Sequence, residues 1–188
     1  MTLLIAGLTL WTVVHFFPSL LQEQRAAIIT KVGLGNYKGV FAVLIVSSVI
    51  LIVYGWRSVI PEDIYSPPIW GRHITFLLML ITFILFVAAK HKTNIKRHLR
   101  HPQLTGLVVW SIGHLLANGD NRSVILFVML GVWAILEMIL INRREGVWQK
   151  PESLPVKKDI ITVIAGCVLY TVLLFAHSYI TGMSLMNM

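Results

Sequence analysis

Four ionisable residues fall inside long apolar runs of this chain: His15, His114, Glu137 and His177. Ionisable groups are costly to place in hydrocarbon, so those that persist there are functional candidates by default. Three more of the seven histidines, His73, His98 and His101, lie near the ends of apolar runs, and His91 sits in a basic stretch. His15 lies thirteen residues into the first run, ~20 Å from its start, and His114 lies eleven residues into the fourth, ~16 Å from its start. If those two runs cross an apolar layer of ~30 Å in opposite directions, the imidazoles meet at similar depth. Two neutral imidazoles on different helices could ligate one haem iron axially. Interhelical hydrogen bonding is the more ordinary role of such histidines. For His73 and His177 the expectation is plain interfacial placement, which suits amphipathic side chains.

A second constellation gathers around the basic stretches. Arg100, His101 and Pro102 open the fourth run, and Glu137 lies late in the fifth, with Arg143 and Arg144 beyond it. A carboxylate and several guanidiniums at one depth could hold a polar, zwitterionic cofactor. A salt-bridged helix terminus would use the same residues. The single cysteine, Cys167, lies in an apolar run and reads as a small buried hydrophobe, with no disulfide or CxxC chemistry open to it.

The elements that must position these groups are membrane spans. Of the 188 residues, 56% are hydrophobic and 13% charged, and the mean hydropathy is +0.77. Soluble domains run near 45–50% apolar and 25% charged. A globule of this length could not hide that much apolar surface, so lipid must serve as part of the solvent. The expected fold is an all-α, polytopic transmembrane helix bundle forming one domain over 1–188. Spans are expected at 2–21, 37–56, 69–89, 103–118, 122–142 and 160–181. The fourth is short, so five spans are the alternative. The tract Asn118-Gly119-Asp120-Asn121 is a strong turn signal. The first run lacks a basic leader and an A-x-A site, and reads as a retained span.

A net charge of +8 does not point to nucleic acid. The basic residues sit in short loops, where they orient the protein and meet anionic headgroups of the bilayer. Thirteen of the 16 Lys and Arg fall in the first, third and fifth loops, leaving Arg57, Arg72 and Arg122 for the other two. The positive-inside rule then puts the odd loops in the cytoplasm and both termini on the opposite, non-cytoplasmic side of the membrane.

Several of these stretches carry a resemblance. Trp70, Arg72-His73, the run LLM-x-x-x-FIL-x-VAA from Leu77 to Ala89, the element from Arg100 through His101-Pro102 to Gly106, and Gly113-His114-Leu115-Leu116-Ala117-Asn118-Gly119 together resemble the NnrU family. So do His15 late in the first span and Asn36-Tyr37-Lys38-Gly39 entering the second. The likeness covers about 1–145, leaving 160–181 as an additional span. Bacterial members are associated with denitrification and nitric oxide metabolism. A similar plant protein, zeta-carotene isomerase, uses haem b held by histidines. The resemblance thus implies haem b here, with His114 as the first candidate ligand and His15 as the second. The Arg-His-Pro-x-x-x-Gly element also resembles the signature of isoprenylcysteine and phospholipid methyltransferases. That likeness implies S-adenosylmethionine held by Arg100, His101, Glu137 and Arg144, although Leu104 stands where those enzymes carry tyrosine.

Three function classes follow: a haem-binding redox or isomerase-like protein, a membrane methyltransferase, and a non-enzymatic accessory of a respiratory complex. The charge asymmetry has a direct test of its own. Reporter fusions after residues 30, 97 and 150 are expected to be active on the cytoplasmic side, and those after 63, 120 and 188 on the other. A cytoplasm-active fusion at 188 would overturn the six-span arrangement.

Overall fold

A computed structural model describes residues 1–183 and 185. Seven α-helices occur among them: α1 Thr2–Leu20, α2 Gln22–Val32, α3 Leu34–Ser58, α4 Gly71–Lys90, α5 Pro102–Ala117, α6 Asn121–Glu145 and α7 Lys157–Thr181. A 3₁₀ turn, Asn94–Arg97, lies between α4 and α5. No strand occurs among the described residues; a lone antiparallel bridge joins Asp63 to Asp120. The all-α bundle expected from composition is what forms. Five helices (α1, α3, α4, α6 and α7) are long and apolar enough to cross a membrane. At 16 residues, α5 is the short one, ~24 Å long.

Helix directions follow from the side chains that meet. Thr75 Oγ1 of α4 donates to Gly113 O of α5 at 2.7 Å, and Thr82 Oγ1 to Gly106 O at 3.2 Å, so the two helices are antiparallel. Thr105 of α5 meets Met138 of α6, while Ser111 abuts Gly131, again antiparallel. Short α5 is therefore covered on one side by α4 and on the other by α6. Its neighbours shield the helix that is least able to span alone. Further out, α1 lies between α3 and α6, and α7 packs on α4. Leu4 meets Gly55 near the end of α3, and Arg57 donates to Ile180 O of α7 at 3.1 Å. The start of α1 and the end of α7 thus share one end of the bundle, called here the N-terminal end. The C-terminal residue itself lies outside the described residues. The opposite, basic end carries the α4–α5 and α6–α7 connections.

Two features escaped the sequence. Residues 22–36 read as a loop, yet most of them form α2, which buries no residue. The 3₁₀ turn near α5 begins at a Thr93 cap and is tied to α7: Asp159 accepts from Thr93 Oγ1 at 2.5 Å and from Asn94 N at 2.7 Å. Neither feature leaves a hydrophobic pattern, since both stay out of the core.

Close approach of small residues holds the bundle, as in many membrane proteins where lipid gives no apolar drive to association. A Cβ on Gly55 would run into the backbone of Leu4, and one on Gly7 would lie 2.7 Å from Ile52 N. Leu4 and Leu8 are wholly buried at this seam. Facing lipid instead are Val40, Val43, Ile164, Val172 and Phe175. Gly55→Leu is expected to lower the unfolding free energy by about 1–3 kcal/mol through overpacking, as read by equilibrium unfolding in mixed micelles. An unchanged midpoint would remove this contact from the account.

Candidate functional site

The α5–α6 turn is built to hold His114 in place. Asn118 closes α5, its backbone N–H bonding His114 O at 2.8 Å and its Nδ2 the same oxygen at 2.9 Å. The last carbonyls of a helix lack intrahelical partners and need outside donors. Tyr65, from the α3–α4 connection, supplies one: its hydroxyl donates to Leu115 O and, at 3.0 Å, to Asn118 O. Ile64 N adds a bond to Gly119 O at 2.8 Å. Gly119 is required here, because a Cβ would strike Tyr65 O. Asp120 caps α6 by accepting from Ser123 N at 3.1 Å. Arg122 pairs with Asp120 at 3.3 Å and stacks 3.8 Å over Trp56. Burial, then the Asp120 carboxylate, pushes the Tyr65 phenol above its ordinary value, so it stays a donor at neutral pH.

Below this clamp lies an apolar cavity of about 360 Å³ between α3, α4, α5, α6 and α7. Trp56, Met79, Trp110, His114, Phe127 and His177 are among its lining residues, and Arg57 and Arg72 border it. That is a ligand-sized volume with few polar groups. His114 Nδ1 lies 2.9 Å from Trp110 O, which assigns the proton to Nδ1 and leaves Nε2 as the lone-pair nitrogen. Its ring packs between Trp110 and Phe127, each 4.6 Å away. His177 bonds at Nδ1 to Met183 O (3.2 Å) and Thr181 Oγ1 (3.3 Å). Both imidazoles line the same cavity.

His15 is elsewhere. Its Nδ1 faces Trp11 O at 2.8 Å, and its ring lies against Trp11, Trp133 and Phe41 at 4.2, 4.9 and 5.7 Å. It does not line the cavity. The depth argument for pairing His15 with His114 took α5 as a full crossing. Because α5 is short, His114 falls in its last turn near the N-terminal end, level with His177. His15 sits toward the basic end, on the far side of α6. His177, assigned on sequence to plain interfacial placement, is the histidine that shares the cavity. His73 does not line it.

The residues of the basic end divide as well. Arg100 Nη1 donates to Gly146 O at 2.8 Å, and its Nη2 pairs with Glu145 at 3.3 Å. His101 Nε2 meets Asn142 Oδ1 at 2.8 Å. Arg100, His101, Glu145 and Trp148 line an open pocket. Glu137 and Arg144 are not among its walls. Instead both bind Ser19: its hydroxyl donates to Glu137 Oε1 at 3.1 Å and accepts from Arg144 Nη1 at 3.0 Å. Glu145, which bridges Arg100 and Arg144, and Ser19 were missed in the sequence, since neither type at those positions is unusual. No group of three or more potential metal-ligating side chains occurs among the described residues.

Tyr65→Phe is expected to cost about 0.5–1.5 kcal/mol, the worth of the lost hydrogen bonds. Amide exchange at 115–119 should quicken while that of α1 does not change. Equal rates in the variant and the parent would mean that the clamp does not hold the turn.

The chain has no match among functionally curated proteins and none among solved structures. A family described as NnrU protein does match, over residues 3–185. The match runs well past the likeness read at 1–145 and takes in α7, the helix that brings His177 to the cavity. The chain therefore belongs to the NnrU family.

Proposed function

We propose that this NnrU-family protein binds haem in the cavity between α3 and α7, with His114 Nε2 as an iron ligand, and that its chemistry concerns nitric oxide. The carrying observation is His114 itself: an imidazole on a cavity wall, with Nδ1 engaged by the Trp110 carbonyl. Metal-ligating histidines commonly donate their other N–H to a carbonyl, which fixes tautomer and ring orientation. His177 is the second candidate ligand, on the cavity wall that α7 provides. Trp56, Trp110 and Phe127 offer flat apolar faces to a macrocycle, and Arg57 and Arg72 offer cations to its carboxylates. When bound, haem supplies an iron that takes small diatomic ligands. The chain's part is to orient the imidazole, exclude water and set the polarity around the iron. The association of the family with denitrification supports nitric oxide as the ligand. By the charge asymmetry, the basic end sits in the cytoplasm of a bacterial inner membrane and the cavity lies near the periplasmic side.

A second reading is methyl transfer with S-adenosylmethionine at the basic end, in the open pocket of Arg100, His101, Glu145 and Trp148. It is the weaker one. Glu137, expected to hold the cofactor amine, is turned to Ser19 and does not line that pocket.

Protein expressed with ample haem and purified in mild detergent should show a Soret band in oxidised and reduced spectra. His114→Ala should abolish it, His177→Ala should shift it as the second candidate ligand is removed, and His15→Ala should leave it in place. A colourless parent protein sinks the haem reading and favours an accessory role. A spectrum that responds to His15 and not to His177 would contradict the geometry given above.

A further inference from the structure

On the other side of α6 from the cavity is a polar seam that the haem reading does not use. Helices α1 and α6 run parallel there. Trp11 meets Trp133 edge-on at 5.4 Å, and Ser19 meets Glu137 further toward the basic end. Trp11, His15 and Ser19 recur every four residues on α1, and Trp133 and Glu137 are four apart on α6, so each set forms one face. Glu137 is 8% exposed and Trp133 5%. Glu137 Oε1 accepts from Ser19, yet Oε2 has no partner among the described residues, and neither has Trp133 Nε1. An acceptor and a donor are thus left on the same helical face one turn apart, beside an imidazole whose Nδ1 is already engaged. Buried polar groups of this kind are satisfied by internal water, or by protonation in the case of a carboxylate.

The seam reaches the aqueous phase at the basic end. Ser19 accepts from Arg144, and Arg144 pairs at 3.1 Å with Glu145, whose side chain is 50% exposed. The groups that face Glu137 can be named element by element. From α1 comes Ser19, with His15 one turn away on the same helical face; from α6 itself, Arg144. On α5, His101 is held by Asn142 and Arg100 by Glu145. From α3, Phe41 packs on His15, and Tyr37 lies under Arg25 of α2 at 5.6 Å. No second carboxylate faces Glu137 among these.

We propose that Glu137 is a proton-binding site in exchange with the aqueous phase at the basic end, joined through bound water to His15 along the α1–α6 seam. In uptake, a hydronium arriving past Arg144 and Ser19 gives its proton to the Glu137 carboxylate and leaves as water. In relay, the Glu137 O–H gives its proton to the bridging water, which passes one of its own to His15 Nε2. The products are carboxylate and imidazolium, and the water is unchanged. Return to the aqueous phase reverses both steps. The site stands apart from the haem cavity and does not depend on it.

Infrared difference spectra of the full-length protein in phosphatidylcholine vesicles test this across a pH titration. A carbonyl stretch of a protonated carboxyl should appear as pH falls, shift in D₂O, and move on ¹³C-glutamate labelling, which assigns it to glutamate without any substitution. It should vanish in Glu137→Gln and remain, displaced, in Glu137→Asp. Ser19→Ala should slow its shift in D₂O at least tenfold. His15→Gln should move the midpoint of its titration. No such band between pH 4 and 10, a band that survives in Glu137→Gln, or one that never shifts in D₂O overturns the site. An unmoved midpoint in His15→Gln overturns the link to His15.

Discussion

Within an apolar solvent every polar group needs a partner inside the protein, and here the nearest partner is usually the helix's own backbone. Thr12, Thr162, Thr171 and Thr181 each donate to the carbonyl four residues earlier. His15 and His114 follow the same rule at Nδ1. For threonine the bond disposes of the side chain's only proton. For histidine it disposes of one nitrogen and leaves the other with a lone pair and a fixed direction. The habit that makes polar side chains tolerable in these helices is also what turns an imidazole into a potential ligand or proton acceptor.

What surrounds the second nitrogen then decides its role. His114 opens on a cavity with His177, because the loop from α3 clamps the end of α5 and α6 is capped beside it by Asp120. His15 lies on the α1–α6 seam, among tryptophans and one turn from the Ser19 that binds Glu137. One helix, α6, separates the two histidines, giving each its own surroundings. The family match reaches residue 185, and the last helix is needed to close the cavity. The family and the site thus share the same stretch of chain.

Much was legible in advance. Apolar runs gave the helices, Asn118-Gly119-Asp120-Asn121 the sharp turn, and the Arg-His-Pro and Gly-His-Leu-Leu elements the family. The shortness of α5 was visible too, although its consequence for depth was not. Helix length and turn chemistry are local properties, settled by composition within some twenty residues. Lateral order is different. That α1 lies beside α6, that α4 and α7 are neighbours, and that α3 and α7 leave space between them depend on which small residues face one another. Gly7, Gly55 and Gly106 look alike in the sequence.

The sequence by itself therefore determined the class of molecule, its helices, and the short list of ionisable residues that lie within them. Only the tertiary structure decided the partners: His177 rather than His15 beside His114, and Ser19 rather than an arginine against Glu137. The reason is that depth in a membrane can be counted along one helix, whereas proximity across the bundle depends on rotation of each helix about its axis. That rotation is chosen by interhelical packing, in which residues over a hundred positions apart, such as Ser19 and Arg144, must fit at once.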